Sequence, residues 1–315
     1  YIYFLIVPLF SFLTTFFLIN PIKKLSLRLG FFDEPDERKQ HSNNIVRLGG
    51  VSIYIGFLVS FIALYLNDFS HFYNNSLEFE TTFLKNIFIG SGIFFVLGLL
   101  DDLFKISPFF RLFIQLLTVF VLSFKGLRFD AFDLAPLNNS FKLFLPRNIS
   151  IFINIIWVVG ITNAINWLDG IDGLTSMYVS LMLSSLFIIS FSKGLFLIAF
   201  VLIVLIFSIL GFYKHNKYPA KIIMGDGGTY FLGFILSTFS VFLSFNKESS
   251  YSLLIPITLL SIPILDMIFV ILRRLLNKKS IFFPDRSHLH HRLQAIGLTY
   301  QKTLNILILL FGFSS

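Results

Sequence analysis

Residues 149–173 read ISIFINIIWVVGITNAINWLDGIDG, and the two ends of this stretch make opposite demands on their surroundings. Residues 149–165 form an apolar run of the length that crosses a hydrocarbon layer as a helix. From Asn163 the composition changes: Asn163, Asn166, Asp169 and Asp172 recur every three residues, with Gly170 and Gly173 among them. An acid in the middle of a membrane helix costs about 2.5–3.5 kcal/mol on insertion scales, so amides and acids clustered at the mouth of a span mark a functional site. Three-residue spacing would align Asn166, Asp169 and Asp172 on one helical stripe. The two glycines equally allow the segment to unwind and turn backbone N–H groups toward an anion.

Working outward, similar apolar runs occupy 1–20, 48–66, 84–100, 108–124, 174–191, 194–212, 229–245, 251–272 and 303–313. The 315 residues are 56% hydrophobic and only 13% charged, with a mean hydropathy of +0.82, too little charge to cover a water-soluble surface. The expected fold is all-α: a polytopic helical membrane protein of about ten to eleven transmembrane helices. Its 43 Phe suit a lipid-facing surface and carry no specific chemistry. With no Cys, disulfides, thiolate metal sites and cysteine nucleophiles are excluded, and any metal must be held by oxygen and nitrogen. The chain opens on Tyr1 and its last apolar run is short, so a chain trimmed slightly at both ends is expected.

Span parity then assigns every loop to a side. One side carries 18 of the 25 Lys and Arg residues, in 21–47, at Lys105 and Arg111, in 214–221 and in 273–302; the other carries seven. The positive-inside rule makes the basic side cytoplasmic and the N-terminus external. Residues 33–41, Asp101-Asp102, 163–172, 225–228 and 285–292 all fall on that cytoplasmic side, whereas the outer loops 67–83 and 125–148 are plain. No internal repeat, low-complexity linker or soluble domain interrupts the pattern. The expectation is one helical bundle, residues 1–315, with its chemistry in its inner loops.

Each inner motif has an ordinary and a chemical reading. Asp101-Asp102 is either a solvated helix end or a pair of carboxylates made comfortable by a cation, a metal-bearing phosphate or a proton-transfer role, with Lys105 and Arg111 near enough to offset the charge. Met224-Gly225-Asp226-Gly227-Gly228-Thr229 is an ordinary turn, or a glycine-rich entry to a helix whose N–H groups meet phosphate and whose acid meets the metal. It lacks the lysine of a P-loop. Residues 284–293 hold Asp285, Arg286, His288, His290, His291 and Arg292, which suggest zinc first but equally read as a polyanion cradle, since the acids elsewhere suit hard-oxygen metals. Arg273, Arg274, Lys278 and Lys279 read as a basic stretch touching anionic lipid. Residues 33–41, with Lys39 and His41, and the following Arg47-Leu48-Gly49-Gly50 add a further charged loop. Asp266 lies inside the ninth run beside Pro263; a packing or hydrogen-bonding role weighs as much as catalysis, and it is left out of the candidate site.

In order, Asp-Asp, Asn-Ala-x-Asn-x-x-Asp-Gly-x-Asp-Gly, Gly-Asp-x-Gly and His-x-His-His resemble the polyprenyl-phosphate N-acetylhexosamine-1-phosphate transferases. That superfamily includes the WecA/TagO-like initiators of O-antigen and teichoic acid linkage synthesis and the MraY translocase. The resemblance spans almost the whole chain and implies transfer of a sugar 1-phosphate, most simply N-acetylglucosamine 1-phosphate, from a UDP-N-acetylhexosamine to undecaprenyl phosphate with release of UMP. It implies Mg²⁺, with Mn²⁺ as a substitute, held by Asn166 and Asp226. It makes Asp101 a base toward the lipid phosphate with Asp102 beside it, and leaves open whether transfer is direct or passes through an aspartyl intermediate. Asp169 and Asp172 would recognise the nucleotide, Arg286, His288, His290 and His291 the UDP-sugar, and Lys39 and His41 match basic positions of the first loop. The implied setting is the inner (plasma) membrane with a cytoplasmic site; the partners are the bilayer, the two substrates and a second copy of the chain, with no nucleic acid.

Two positions depart from the superfamily pattern: Val46 replaces a common Pro before Arg-Leu-Gly-Gly, and Thr229 a common Ser. The frame Asp-Arg-x-His-x-His-His-Arg sits closer to the N-acetylglucosamine branch than to MraY. An MraY-type donor bearing a muramyl pentapeptide, or UDP-N-acetylfucosamine or its quinovosamine analogue, is the alternative chemistry. An intramembrane prenyltransferase would want two Asp-x-x-Asp repeats, and a transporter would want acids at mid-span. Accessibility labelling should therefore reach Asp101, Asp169 and Asp226 from the cytoplasmic side; labelling from outside, or burial of all three at the midplane, would overturn this topology.

Overall fold

A computed structural model describes residues 3–32, 45–66, 77–129, 131–133, 142–244, 254–278, 280 and 288–314. In chain order the helices are α1 (Tyr3–Leu29), α2 (Gly49–Leu66), α3 (Leu77–Phe104), α4 (Pro108–Phe124), α5 (Arg147–Leu168), α6 (Leu174–Ser192), α7 (Phe196–Asn216), α8 (Gly225–Ser244), α9 (Leu254–Leu259), α10 (Ser261–Leu276), α11 (Leu289–Ala295) and α12 (Tyr300–Ser314). Between α4 and α5, β1 (Ala131–Asp133) pairs antiparallel with β2 (Lys142–Phe144). Each of the ten expected apolar runs carries helix, and among the described residues six helices are long and apolar enough to cross a membrane. The protein is thus a multi-pass helical membrane protein. The described residues divide into two compact units, one of Tyr1–Ile106 with Leu183–Phe231 and one of Ser107–Met182 with Leu232–Ser315.

In the first unit α1, α2 and α7 pack together. Lipid offers apolar side chains no gain on burial, so helix association in a membrane depends on close contact and polar bonds. The sequence supplies both. Ser11 Oγ donates to the Gly56 carbonyl at 2.9 Å, Thr15 Oγ1 lies 2.8 Å from Ser208 Oγ, and Ser208 Oγ is within 3.0 Å of the Ile53 carbonyl. A Cβ at Gly56 would overlap the Ser208 and Thr15 hydroxyls, so these bonds exist because position 56 has no side chain. Val7, Ala63, Phe200 and Val204 form an apolar cluster in the same unit.

Residues 45–50 do not form a free loop. Ile223 N–H donates to the Val46 carbonyl at 2.9 Å, and Gly49 and Gly50 N–H donate to the Ile223 and Met224 carbonyls at 3.0 and 2.8 Å. This short ladder ties the chain entering α2 to the chain entering α8. A Cβ at Gly50 would overlap the Gly228 backbone, and one at Gly98 in α3 would overlap the Asp226 carbonyl. Three polypeptide segments therefore meet at backbone distance around the first turn of α8.

In the second unit α5 packs against α4 and α10. Asn154 Nδ2 donates to Ser123 Oγ and to the Leu127 carbonyl, both at 2.8 Å, joining α5 to the end of α4. The run 251–272, expected as one span, is broken between α9 and α10 at Leu260. Pro263 is the cause: it has no N–H for the Leu259 carbonyl, and its ring crowds that oxygen. The orphaned carbonyl accepts instead from the buried Tyr178 hydroxyl at 3.0 Å. A broken helix at membrane depth persists when a neighbour satisfies the freed group in this way.

The contact between Gly98 and the α8 backbone supports a test. Ala in mid-helix gains about 0.8–1 kcal/mol in propensity over Gly, whereas overpacking against backbone costs about 1–3 kcal/mol. The steric term should win, so Gly98→Ala is expected to lower the thermal midpoint of the purified protein in detergent; a raised midpoint would show that α3 can move away without loss.

Candidate functional site

The first unit gathers Asp101, Asp102, Asp226 and Arg47. Asp101-Asp102 was expected just beyond a span, but both lie in the last turn of α3, which runs on to Phe104. The turn at 225–228 is likewise the first turn of α8. The opening N–H groups of a helix have no partner within it. Here Asp102 supplies one: its Oδ1 accepts from Asp226 N–H and its Oδ2 from Gly227 N–H, both at 2.9 Å. A carboxylate at a helix N-terminus is also favoured by the helix dipole. These two donors, read from sequence as a phosphate cradle, are thus given to a protein carboxylate.

Gly225 has φ +77°, and a Cβ there would overlap the Arg47 carbonyl and lie 2.7 Å from Asp102 Oδ2. Only glycine fits both the conformation and the space. Asp226 is thereby set with its main chain on Asp102 and its Oδ1 3.9 Å from Arg47 Nη2. With 43% of the Arg47 side chain exposed, this is a loose ion pair worth little by itself. Asp101 is buried at 7% exposure. Of the two adjacent acids, Asp102 is the one whose carboxylate caps α8 with both oxygens.

Among the described residues no three His, Asp or Glu side chains converge as a metal centre. The donor chemistry around Asp226 nevertheless fits Mg²⁺, which commonly takes one or two carboxylates from a protein and completes its shell with substrate phosphate and water.

The second unit gathers the amide and acid run and the histidines. The stretch 163–173 is helical at its start and unwound at its end, so the single helical stripe through Asn166, Asp169 and Asp172 does not form. α5 continues through Asn163, Asn166 and Leu168; Asp169 caps it, with its N–H on the Asn166 carbonyl at 3.3 Å, and the chain then turns through Gly173 at φ +78°. Asn166 is therefore helical, whereas Asp169 and Asp172 lie on the turn. Asn163 Nδ2 donates to Gln115 Oε1 at 2.9 Å, which makes it a strut to α4. Asp172 is buried at 8% exposure, and its carbonyl accepts from Tyr300 Oη at 3.3 Å.

The His-rich segment is held by α10. Asp266 Oδ2 lies 2.9 Å from His288 Nδ1, and Asp266 Oδ1 accepts from Leu289 N–H at 2.8 Å. The His288 ring meets Trp167 edge to face at 5.7 Å and stacks at 5.8 Å on His290, which is 4.2 Å from His291. Arg274 places its guanidinium 4.9 Å over the Trp167 ring and is only 5% exposed. It is thus a packed part of this unit, which corrects its expected place on a lipid-touching stretch. His290, 2% exposed, has its Nε2 against Gly170 without a hydrogen bond. Burial, followed by the charges of His291 and His288, pushes its imidazole down to about 3 despite the opposing pull of Asp266. The rings are therefore not equivalent: His290 is neutral at physiological pH and cannot serve as a cation.

Lys39, His41 and Arg286 lie outside the described residues. Within the first unit the structure brings together Asp101, Asp102 and Asp226, and within the second Asn166, Asp169, Asp172, His288, His290 and His291. Arg47, Asp266, Arg274 and Tyr300 were not picked as site residues. Asp266 had a legible signal, an ionisable group inside an apolar run.

In each unit of this multi-pass helical membrane protein, acids or histidines gather at helix ends, the kind of side chain with which a membrane enzyme works. The family description Glycosyl transferase family 4 matches residues 84–244, and the chain belongs to that family. A Bacillus subtilis protein named probable undecaprenyl-phosphate N-acetylglucosaminyl 1-phosphate transferase is 37% identical over 96% of this chain and 80% of its own length. Proteins named undecaprenyl-phosphate alpha-N-acetylglucosaminyl 1-phosphate transferase are 33% identical in Thermotoga maritima, over 88% of this chain and 77% of that one, and 27% identical in Escherichia coli, over 96% and 79%.

The Asp102 contact can be tested apart from activity. Capping bonds to a charged acceptor are worth about 1–3 kcal/mol. In Asp102→Ala, amide hydrogen exchange at Asp226 and Gly227 is expected to accelerate on the order of tenfold to a hundredfold. Unchanged exchange there would mean that another group caps α8.

Proposed function

We propose that this protein transfers N-acetylglucosamine 1-phosphate from UDP-N-acetylglucosamine to undecaprenyl phosphate, releasing UMP, as the first membrane step of cell-surface polysaccharide synthesis such as O-antigen or teichoic acid. The observation that carries this reading is similarity over 96% of the chain to a relative named for that reaction, with the four motifs of the resemblance present in order. The proposed setting is the inner (plasma) membrane, with the reacting groups on its cytoplasmic side, where most of the basic residues fall by parity.

Chemically, an oxygen of the lipid phosphate attacks the sugar-bearing phosphorus of the donor; the pyrophosphate P–O bond breaks and UMP departs. Both reactants are anions, so catalysis consists chiefly of alignment and charge neutralisation. Asp101 is the proposed base that takes the proton of the lipid phosphate. Asp102 holds the first turn of α8 and so the direction of Asp226, and Arg47 adds a cation beside Asp226. Asp226 is the proposed Mg²⁺ ligand, and the resemblance adds Asn166. When bound, Mg²⁺ neutralises charge on the phosphates. Asp169, Asp172, Arg286, His288, His290 and His291 are the proposed contacts of the UDP-sugar, and Lys39 and His41 the basic groups of the first loop.

With Mg²⁺ and undecaprenyl phosphate, the purified protein is expected to release UMP from UDP-N-acetylglucosamine. A panel with UDP-N-acetylfucosamine and UDP-linked muramyl pentapeptide fixes the sugar, and turnover confined to the pentapeptide donor would replace this reading with the MraY reaction. Asp101→Asn and Asp226→Asn should each reduce UMP release by on the order of a hundredfold or more while leaving the thermal midpoint within a few degrees. Near-normal turnover in either variant would remove that residue from the reaction.

A further inference from the structure

Asp266 is an acid in α10, within a run whose other members are almost all apolar, and both of its carboxylate oxygens are spent on one short segment. One takes the main-chain N–H of Leu289 at 2.8 Å and the other faces His288 Nδ1 at 2.9 Å. A helix-packing role would need neither contact. A single bond would fix the segment or the ring; the two together fix both, because the backbone that carries the ring and the ring itself are held from one rigid side chain. His288 is 7% exposed, with the Trp167 ring on one side and the His290 ring stacked at 5.8 Å, so its imidazole has little room to turn.

The bonding also fixes which nitrogen is used. A carboxylate oxygen only accepts, so His288 Nδ1 carries the hydrogen that faces Asp266, and Nε2 is the nitrogen with which this ring meets a ligand. We infer that Asp266 is a positioning residue for the donor: through its paired contacts with His288 and Leu289 it sets the orientation and tautomer in which His288 binds the UDP-sugar. The inference rests on the reading of His288 as a donor contact, and it adds to that reading a residue outside the His-rich segment.

The test uses the full-length purified protein. Asp266→Asn keeps the size of the side chain but puts an NH₂ group opposite one of the two N–H donors, so it undoes the tautomer without emptying the space. It is expected to raise KM for UDP-N-acetylglucosamine on the order of tenfold to a hundredfold, the range for losing a hydrogen bond to a charged group, while KM for undecaprenyl phosphate stays within about twofold. Asp266→Glu, which retains the acid, should recover part of the donor affinity. The double variant Asp266→Asn/His288→Ala should be no worse than His288→Ala, since the two residues act as one unit. Asp266→Asn with donor KM unchanged, a loss shared equally between both substrates, or additive effects in the double variant would each overturn the inference.

A wild-type protein that releases no UMP from any donor of the panel would instead strike at the proposed function. The pair is then judged by a thermal double-mutant cycle on the same three variants. Additive midpoint shifts there would overturn the pairing as well, and non-additive shifts would sustain it.

Discussion

Asp102 sits where a helix end would otherwise be unsatisfied. The first turn of α8 presents N–H groups that its own helix cannot use, and in surroundings poor in water each such group costs several kcal/mol if left alone. One carboxylate from the last turn of α3 satisfies two of them. That single exchange joins the last turn of α3 to the first turn of α8 and fixes the main chain of Asp226. It requires backbones to come closer than side chains permit, and the chain supplies glycine where each approach occurs. Gly98 lies against the Asp226 carbonyl, Gly50 against Gly228, and Gly225 against the Arg47 carbonyl and Asp102. Their absence of side chains is the condition for the acid cluster.

The second unit solves an equivalent problem differently. Pro263 removes one hydrogen bond and so breaks a span, and Tyr178 replaces it from α6. Three residues beyond that proline, Asp266 takes up the start of α11 and the His288 ring. The break in the helix and the fastening of the His-rich segment thus sit on adjacent turns. In both units a polar side chain in an apolar stretch completes the bonding of another element's backbone, a recurring cause of retained polarity in membrane helices.

Much of this was legible in the sequence. The class of fold followed from run lengths and composition, and each of the ten apolar runs carries helix. What periodicity missed were the ends. Counting apolar residues stops a span at its first charges, yet α1 continues past Pro21 through Lys23 and Lys24, whose aliphatic stems can lie along the apolar layer, and α3 continues through Asp101-Asp102. The same habit placed Gly225-Asp226-Gly227 before α8 instead of within its first turn. Partners at long sequence separation were equally out of reach: nothing in 284–293 says that Asp266 bonds it, and nothing in Asp101-Asp102 says which of the pair faces α8. Arg274 shows the converse error, a basic residue in a basic run that composition assigns to lipid and that Trp167 draws into the interior.

Two of the acids are defined by their bonds to the protein. Asp102 and Asp266 spend both oxygens on the protein, one on a helix start and the other on a helix start and a ring. A carboxylate engaged in this way serves as a fixture. Asp101 and Asp226 are the residues that the family resemblance turns toward chemistry, and each is next to, or bonded through its own main chain to, one of the fixtures. Preorganised groups are effective because they need not reorient as charge shifts between phosphates. In a flexible membrane bundle that rigidity has to be built from bonds between helices, and the cost of burying additional acids is what secures it. The sequence DD is thus not a pair of equal carboxylates, because Asp102 supports the start of α8 with both of its oxygens.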